Sequence, residues 1–388
     1  MALSRLAPGE LGGMFGRTGS LTESALRRLR PTWRFLILGF VLSLTVAVTA
    51  AATHALVGPE GARPALGVLM SSDRHIDDLN LGLLLDPSGA LLVVVSLMTP
   101  IFCCQQIAAI MGYVPMNEDN LVNLPFITVD ETAINAIVDT ANTRFRFIGR
   151  RDVSFGVFVI AGLGSLSLYR LLATQGLLTS WNFTSLTRQQ WHDKTYAGWW
   201  ANWDRHPALA FALWALGTYT LYYVIKQLAL GGVFAVFAHN AVKLDFGVTP
   251  DLVYNSDGYH GLRTLRHFMQ WTYGSSLAHF ATVLAFFVVW LPFSQMTFFV
   301  SLAVMITNAL VIAYPSRMAY RSAAQVKRHY ARNIHGSTTM TAAEKETAIE
   351  RIWALPTLPF RTRSSLTAVT VYFLVPLLLA VISALLRT

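Results

Sequence analysis

Apolar residues gather into seven runs separated by polar segments. The runs are Trp33 to Val57, Ala90 to Val114, Val153 to Thr174, Ala208 to about Leu230, Ser275 to Leu291, Met296 to Tyr314 and Leu366 to Leu386. Most approach the ~20 residues needed to cross roughly 30 Å of hydrocarbon at 1.5 Å per residue, and none contains an Asp or Glu. The fourth run continues as a helical pattern to His239, and the fifth and sixth meet at a tight turn, Leu291-Pro292-Phe293-Ser294-Gln295. The expected fold is all-α: a polytopic bundle of about seven transmembrane helices over residues 33–386, preceded by a cytoplasmic segment, 1–32.

Between the runs the pattern changes to amphipathic. Thr128-x-x-Glu131 is a capping box, after which Ile134, Ile137, Val138, Ala141, Phe145 and Ile148 recur every three or four residues and Arg144, Arg146, Arg150 and Arg151 close the segment. This predicts an amphipathic helix on the inner leaflet or packed under the bundle. Residues 315–365 predict a cytoplasmic helical hairpin: a basic helix broken at Gly336, then a second capping box, Thr341-x-x-Glu344.

Charge sets the orientation. Of 30 Lys and Arg, 22 fall in 1–34, 115–152, 239–274 and 315–365, whereas 6 fall in 58–89, 175–207 and the C-terminal tail. Basic residues collect on cytoplasmic loops, so the N-terminus is expected inside and the C-terminus outside. Charged residues make up 13% of the chain, half the fraction usual for soluble proteins. The formal charge of +9 therefore reads as membrane orientation, and no nucleic-acid partner is expected. The Arg-rich stretch before Trp33 leads into a run too long for a signal peptide, so it is read as a retained span. Loop 175–207 holds Trp181, Trp191, Trp199, Trp200 and Trp203, and indoles prefer the headgroup layer. The loop is expected on the outer interface. Asn182-Phe183-Thr184 matches the glycosylation pattern.

Candidate chemistry is sparse. Lys226 lies below the middle of the fourth span, where it either neutralises an anionic solute or snorkels to the inner headgroups; Arg170 reads as a snorkelling anchor. Thr99-Pro100 breaks the hydrogen-bond ladder of the second span, close to Gln105 and Gln106. These amides, with Asn308 in the sixth span, line a polar path or bond helix to helix. Arg317, Arg321, Arg328 and Arg332 form a basic face for anionic lipid headgroups or for solvent.

The remaining patterns exclude more than they assign. Cys103 and Cys104 are neighbours within a helix and read as small apolar fillers. His239, His260, His267 and His279 have no spacing diagnostic of haem or metal, so no cofactor is expected. Gly162-Leu-Gly164-Ser165 has its serine misplaced for a nucleophile turn. No His-Glu-x-x-His or phosphate-binding loop is present, and Lys226 lacks the carboxylate counter-ion a retinal site needs. No catalytic residue set stands out, and a membrane enzyme is left as the third reading.

The most turn-specified polar stretch is the inner loop from Thr249 to Arg263, with Pro250, Asp251, Asn255, Asp257, Gly258, His260 and Gly261. This loop, the basic helix after the penultimate span and Leu355-Pro356-Thr357-Leu358-Pro359-Phe360 before the last span resemble a loose group of bacterial multi-pass inner-membrane proteins over residues 210–388. In that group the loop often reads His-Pro-Asp followed by two adjacent glycines and a leucine. Here Thr249 stands for the His, and Tyr259-His260 separates the glycines. The resemblance implies the membrane architecture, and no activity, cofactor or catalytic residue. The leading expectation is a channel- or transporter-like pore governed from its cytoplasmic loops. The alternative is a membrane scaffold or sensor subunit that docks a protein partner there, with a membrane enzyme third. A second copy of the chain is compatible with each.

Overall fold

The structure, a computed structural model, describes residues 33–57, 63–64, 79–122, 131–176, 186–243, 263–285 and 341–354, and individual positions between 317 and 340. Its long elements are α1 (Trp33–Ala52), α2 (Pro87–Val122), α3 (Glu131–Ile148), α4 (Arg151–Leu171), α5 (Arg188–Ala197), α6 (Pro207–Lys243), α7 (Arg263–Ala285) and α8 (Ala342–Ala354). Described positions from Arg317 to Gly336 are helical as well.

Four stretches of helix are long and apolar enough to cross a bilayer: Arg34–Ala52, Ser88–Ile110, Arg151–Thr174 and Pro207–Phe237. They coincide with the first four predicted spans. The fifth is described as far as Ala285, within a helix that begins at Arg263 instead of Ser275. The sixth and seventh lie outside the described residues. Helix α6, at 37 residues, is about 55 Å long and outreaches the hydrocarbon layer at one end or both.

Helix α6 is the hub, packing against α1, α2, α3 and α4, while α2 makes its most extensive contact with α7. Each seam has its own chemistry. Tyr219 Oη donates to the Phe35 carbonyl (2.9 Å), tying α6 to α1. Ser43 and Ser96 join α1 to α2 through their hydroxyls (3.1 Å). Trp214 Nε1 donates to the Gly162 carbonyl (2.9 Å) and Ser165 Oγ to the Trp214 carbonyl (3.2 Å), which bind α6 to α4. The glycine of closest approach is Gly217, where a Cβ would collide with Ser165 Oγ. Small residues that let helix backbones meet are the usual means of packing where lipid removes the hydrophobic drive. The Gly162–Ser165 run is thus part of a helix seam. On α3, Val138, Ala141, Asn142 and Phe145 are buried and Arg144 and Arg146 are exposed.

Large apolar side chains cover the outside. Phe35, Phe40, Leu44 and Val48 on α1, and Phe155, Phe158, Ile160 and Leu163 on α4, are exposed. In water such a surface would drive aggregation; against acyl chains its exposure carries no hydrophobic penalty.

One end of the bundle carries a built cap. Arg63–Pro64 and Leu79–Asn80 pair as two short parallel strands, β1 and β2. Leu81 then exchanges backbone hydrogen bonds with Gly198 and Trp200 (both 2.9 Å). Helix α5 starts in a capping box: Thr187 Oγ1 accepts from Gln190 N, and Gln190 Oε1 from Thr187 N. Trp191, Trp199 and Trp200, expected at the membrane surface, are 1%, 2% and 2% exposed and belong to a core with Val46, Leu81, Leu92 and Leu216. The expected interfacial placement is corrected for these three, because Trp199 and Trp200 find a protein acceptor for their N–H groups and need no water. Trp203 is exposed. Trp181 and Asn182-Phe183-Thr184 lie outside the described residues.

Candidate functional site

The densest buried polar constellation among the described residues lies where α2, α6 and α7 meet. Helix α7 carries Thr272, Ser275, Ser276, His279 and Thr282 at steps of three and four residues, with an additional serine beside Ser275. That spacing makes one stripe along a helix. All but His279 are classed as buried, and His279 is half-buried. The stripe therefore faces helices, not lipid.

Four residues close a hydrogen-bonded ring. Gln227 Nε2 donates to the Thr99 carbonyl (3.0 Å). Thr99 Oγ1 is 2.9 Å from His279 Nε2. His279 Nδ1 is 3.2 Å from Ser275 Oγ, whose hydroxyl donates to Gln227 Oε1 (2.9 Å). Thr99 Oγ1 also lies 2.7 Å from the Val95 carbonyl. The ring sits beside Pro100, which has no N–H for the helical ladder and so leaves the Ser96 carbonyl without its main-chain donor; the Gln227 amide binds the neighbouring Thr99 carbonyl from another helix. Farther along α2, Gln106 Nε2 donates to Thr272 Oγ1 (2.9 Å). Gln106 Oε1 is buried with no hydrogen-bond partner, an unusual state for a buried acceptor.

Aromatic groups enclose these polar pairs. Phe102 lies 6.0 Å from Trp271, and Phe234 packs on Phe268 at 4.3 Å, ring centre to ring centre. The ring residues are donors and acceptors with one titratable group and no carboxylate. Such a set suits a proton, a hydrated ion or a small polar solute. No group of three His, Cys, Asp or Glu able to hold a metal occurs among the described residues.

The sequence-predicted residues divide around this ring. Gln106 is part of the polar seam, but Gln105 is exposed and points away from it; adjacent residues on a helix project about 100° apart, so the two amides cannot share one path. Lys226 adjoins Gln227 in sequence, yet its ammonium sits 4.9 Å over the Tyr222 ring, which meets Phe158 of α4. It is also near enough to Cys103 of α2 to act electrostatically on that thiol. Cys103 is buried and Cys104 half-buried. Asn308, Asp251, Asn255, Asp257, Gly258, His260 and Gly261 lie outside the described residues. Arg317, Arg321, Arg328 and Arg332 are exposed, whereas Lys327 is buried, with Nζ 5.8 Å from the Trp353 ring centre. Burial pushes the Lys327 ammonium below its ordinary value. Thr341 and Glu344 form their capping box: Thr341 N donates to Glu344 Oε2 (2.8 Å) and Glu344 N to Thr341 Oγ1 (3.4 Å). The bonds that Glu344 Oε2 accepts from Thr341 N and Thr341 Oγ1 (both 2.8 Å) hold its carboxyl below the usual range.

From sequence, Thr99 figured only in a helix break and His279 only as one of four scattered histidines, and Gln227 and Ser275 were not singled out. For Ser275 and His279 a signal was present in the period of α7, whose polar positions recur at helical steps within an otherwise apolar and aromatic segment.

A second buried charge organises the cap. Asp86 is the N-cap of α2. Its Oδ1 accepts from Ser88 N (3.0 Å), Ser88 Oγ (2.5 Å) and Gly89 N (3.1 Å). Its Oδ2 accepts from Trp200 Nε1 (2.8 Å) and Trp199 Nε1 (3.3 Å). Gly89 is required here: a Cβ would stand 2.9 Å from the Trp200 ring. Burial pushes the Asp86 carboxyl up, and the bonds from Ser88, Trp200, Gly89 and Trp199 pull it back. With every acceptor site engaged, Asp86 is a structural keystone.

No protein-family model, curated protein or solved structure matches the chain.

Proposed function

We propose that the protein is a multi-pass membrane protein of the bacterial inner membrane, with seven spans, its N-terminal flank in the cytoplasm, and a channel- or transporter-like path for a small polar solute or ion between α2, α6 and α7. Support for the orientation comes from the 22-to-6 distribution of Lys and Arg, and support for the spans from the four membrane-capable helices. With that orientation the Asp86–tryptophan cap is external, and α3 and the 315–365 hairpin are cytoplasmic. The exposed Arg317, Arg321, Arg328 and Arg332 then face anionic headgroups, each contributing about 1 kcal/mol near the surface.

The path is carried by one observation: the polar stripe of α7 is turned inward onto α2 and α6. Polar side chains inside a bundle surrounded by lipid are costly unless paired, and an ionisable one there is by default a functional position. A histidine between two hydroxyls, with an unpartnered Gln106 oxygen farther along α2, is a lining that a polar solute can exchange with. The alternative, a non-transporting scaffold, is favoured by the closure of the ring, which uses its hydrogen-bonding groups between helices.

Reconstitution separates them. Purified chain in liposomes is tested for flux of protons, Na+, K+, chloride and small neutral solutes under imposed gradients, beside His279→Ala and Gln227→Leu. Flux that either substitution reduces at least about tenfold supports the path. Absence of flux under every gradient rejects it in favour of the scaffold.

A further inference from the structure

Resting on that reading of the α2–α6–α7 seam, we propose that His279 is a reversible proton-binding site, with the Thr99 hydroxyl changing its acceptor as the proton comes and goes. The argument is a count of hydrogens. Five side-chain contacts of the ring are in bonding range: Thr99 Oγ1 to the Val95 carbonyl, Thr99 Oγ1 to His279 Nε2, His279 Nδ1 to Ser275 Oγ, Ser275 Oγ to Gln227 Oε1, and Gln227 Nε2 to the Thr99 carbonyl; the Ser275 carbonyl is a further acceptor beside the imidazole and supplies no hydrogen. Each hydroxyl supplies one hydrogen, the Gln227 amide one, and a neutral imidazole one. Four hydrogens cannot fill five contacts.

The neutral ring has a preferred arrangement. Ser275 gives its hydrogen to Gln227 Oε1, so Ser275 Oγ must accept, and His279 carries its hydrogen on Nδ1. Nε2 is then an acceptor, and Thr99 turns its hydroxyl to it and away from Val95. The opposite tautomer makes Ser275 donate to Nδ1 and strands the buried Gln227 Oε1. When a proton from the aqueous phase adds to Nε2, the imidazolium donates at both nitrogens. Thr99 Oγ1 becomes the acceptor and returns its hydrogen to Val95. All five contacts are then filled together. Little is lost on release, because the Val95 carbonyl belongs to the α2 ladder and keeps a main-chain partner.

The surroundings make the site responsive, not permanently charged. No Asp or Glu occurs within Ser88–Ile110 or Pro207–Phe237, so no counter-ion on these segments fixes the cation. The other titratable or charged side chains on those segments are Cys103 and Cys104 on α2 and Tyr219, Tyr222, Tyr223 and Lys226 on α6; α7 adds Arg263, Arg266, His267 and Tyr273, the two arginines lying in its first turn, more than three turns from His279. Lys226 sits over the Tyr222 ring, with its charge also felt at Cys103, and Tyr219 is engaged with Phe35 of α1. Neither of these donates to the imidazole.

The test reads protonation directly. Full-length protein with nitrogen-15-labelled histidine, in liposomes, gives imidazole nitrogen spectra between pH 2.5 and 8.5, and His279→Asn identifies the signal. The expected result is passage from one protonated nitrogen, Nδ1, to two as pH falls. Thr99→Val removes the acceptor that the imidazolium needs at Nε2, so its midpoint falls by about one pH unit, a tenfold loss of proton affinity. Thr99→Ser keeps the midpoint. A His279 signal that holds one protonation state throughout, or a midpoint that Thr99→Val leaves unmoved, overturns the proposal. The two readings fail separately. A titrating His279 in a protein without flux keeps the proton site and removes the path; flux beside a His279 fixed in one state does the reverse.

Discussion

Asp86→Asn is the most informative single change, because it exchanges one oxygen for an amide without altering shape. The carboxylate serves two sets of donors, with Oδ1 on Ser88 and Gly89 and Oδ2 on the two indoles. Asparagine has one acceptor oxygen. If it caps α2, its NH2 faces Trp200 and Trp199, and these N–H groups lose their acceptor in a core where both rings are almost fully buried. An unsatisfied buried donor costs about 1–3 kcal/mol. Trp200, at 2.8 Å, bears the full effect; Trp199, at 3.3 Å, bears less. Relief from burying a charge, the effect that pushes the Asp86 carboxyl up, returns part of this. The net expected loss is about 2–4 kcal/mol. Denaturation in mixed micelles, followed by tryptophan fluorescence, measures it. Trp200→Phe removes the donor that the asparagine would confront, so Asp86→Asn/Trp200→Phe should lose at least about 1 kcal/mol less than the sum of the single changes. Asp86→Asn within about 0.5 kcal/mol of the unaltered chain, as for a neutral surface change, or strict additivity with Trp200→Phe, would refute the keystone role.

Three further outcomes are expected. Gly217→Ala sets a methyl against Ser165 Oγ and costs about 1–3 kcal/mol; Ser165→Ala in the same chain restores most of it, measured by the same denaturation. The Glu344 carboxyl is held below its ordinary 4.5, so its cap contributes above that pH and is lost as pH falls through the lower folded value. Amide exchange at Thr341 and Glu344, corrected for the intrinsic rate, should accelerate between pH 5 and pH 3 and remain unchanged between pH 6 and pH 8. With Cys103 and Cys104 replaced by Ala, a Met340→Cys chain should react with an impermeant maleimide in inverted vesicles and stay unlabelled in right-side-out ones. The reverse pattern would overturn the orientation.

Much of the architecture was legible before any coordinates. The first four apolar runs all became helices, two of them running well past the expected ends, because in lipid every backbone polar group must be satisfied within its own segment, and helix is the local solution. Thr341 and Glu344 announced their capping box for the same reason: it is made within four residues. Another local signal, Thr187-x-x-Gln190, was there to be found and opens α5. The stripe Thr272, Ser275, His279, Thr282 was also written in the period of α7.

What no pattern along the chain could decide is which surface each element covers. Trp199 and Trp200 have the composition of an interfacial belt, and only the arrival of Asp86, over a hundred positions earlier, turns them inward. Gln105 and Gln106 are equivalent as neighbours in sequence; the approach of Thr272 makes one a bundle residue and leaves the other outside. Thr99, Gln227, Ser275 and His279 come from three helices and become a site only by packing. Periodicity reports the direction of a side chain relative to its own helix axis, whereas a partner's identity depends on how helices far apart in the chain are placed, and that is set by the fit of Gly217 to Ser165 and of α7 to α2.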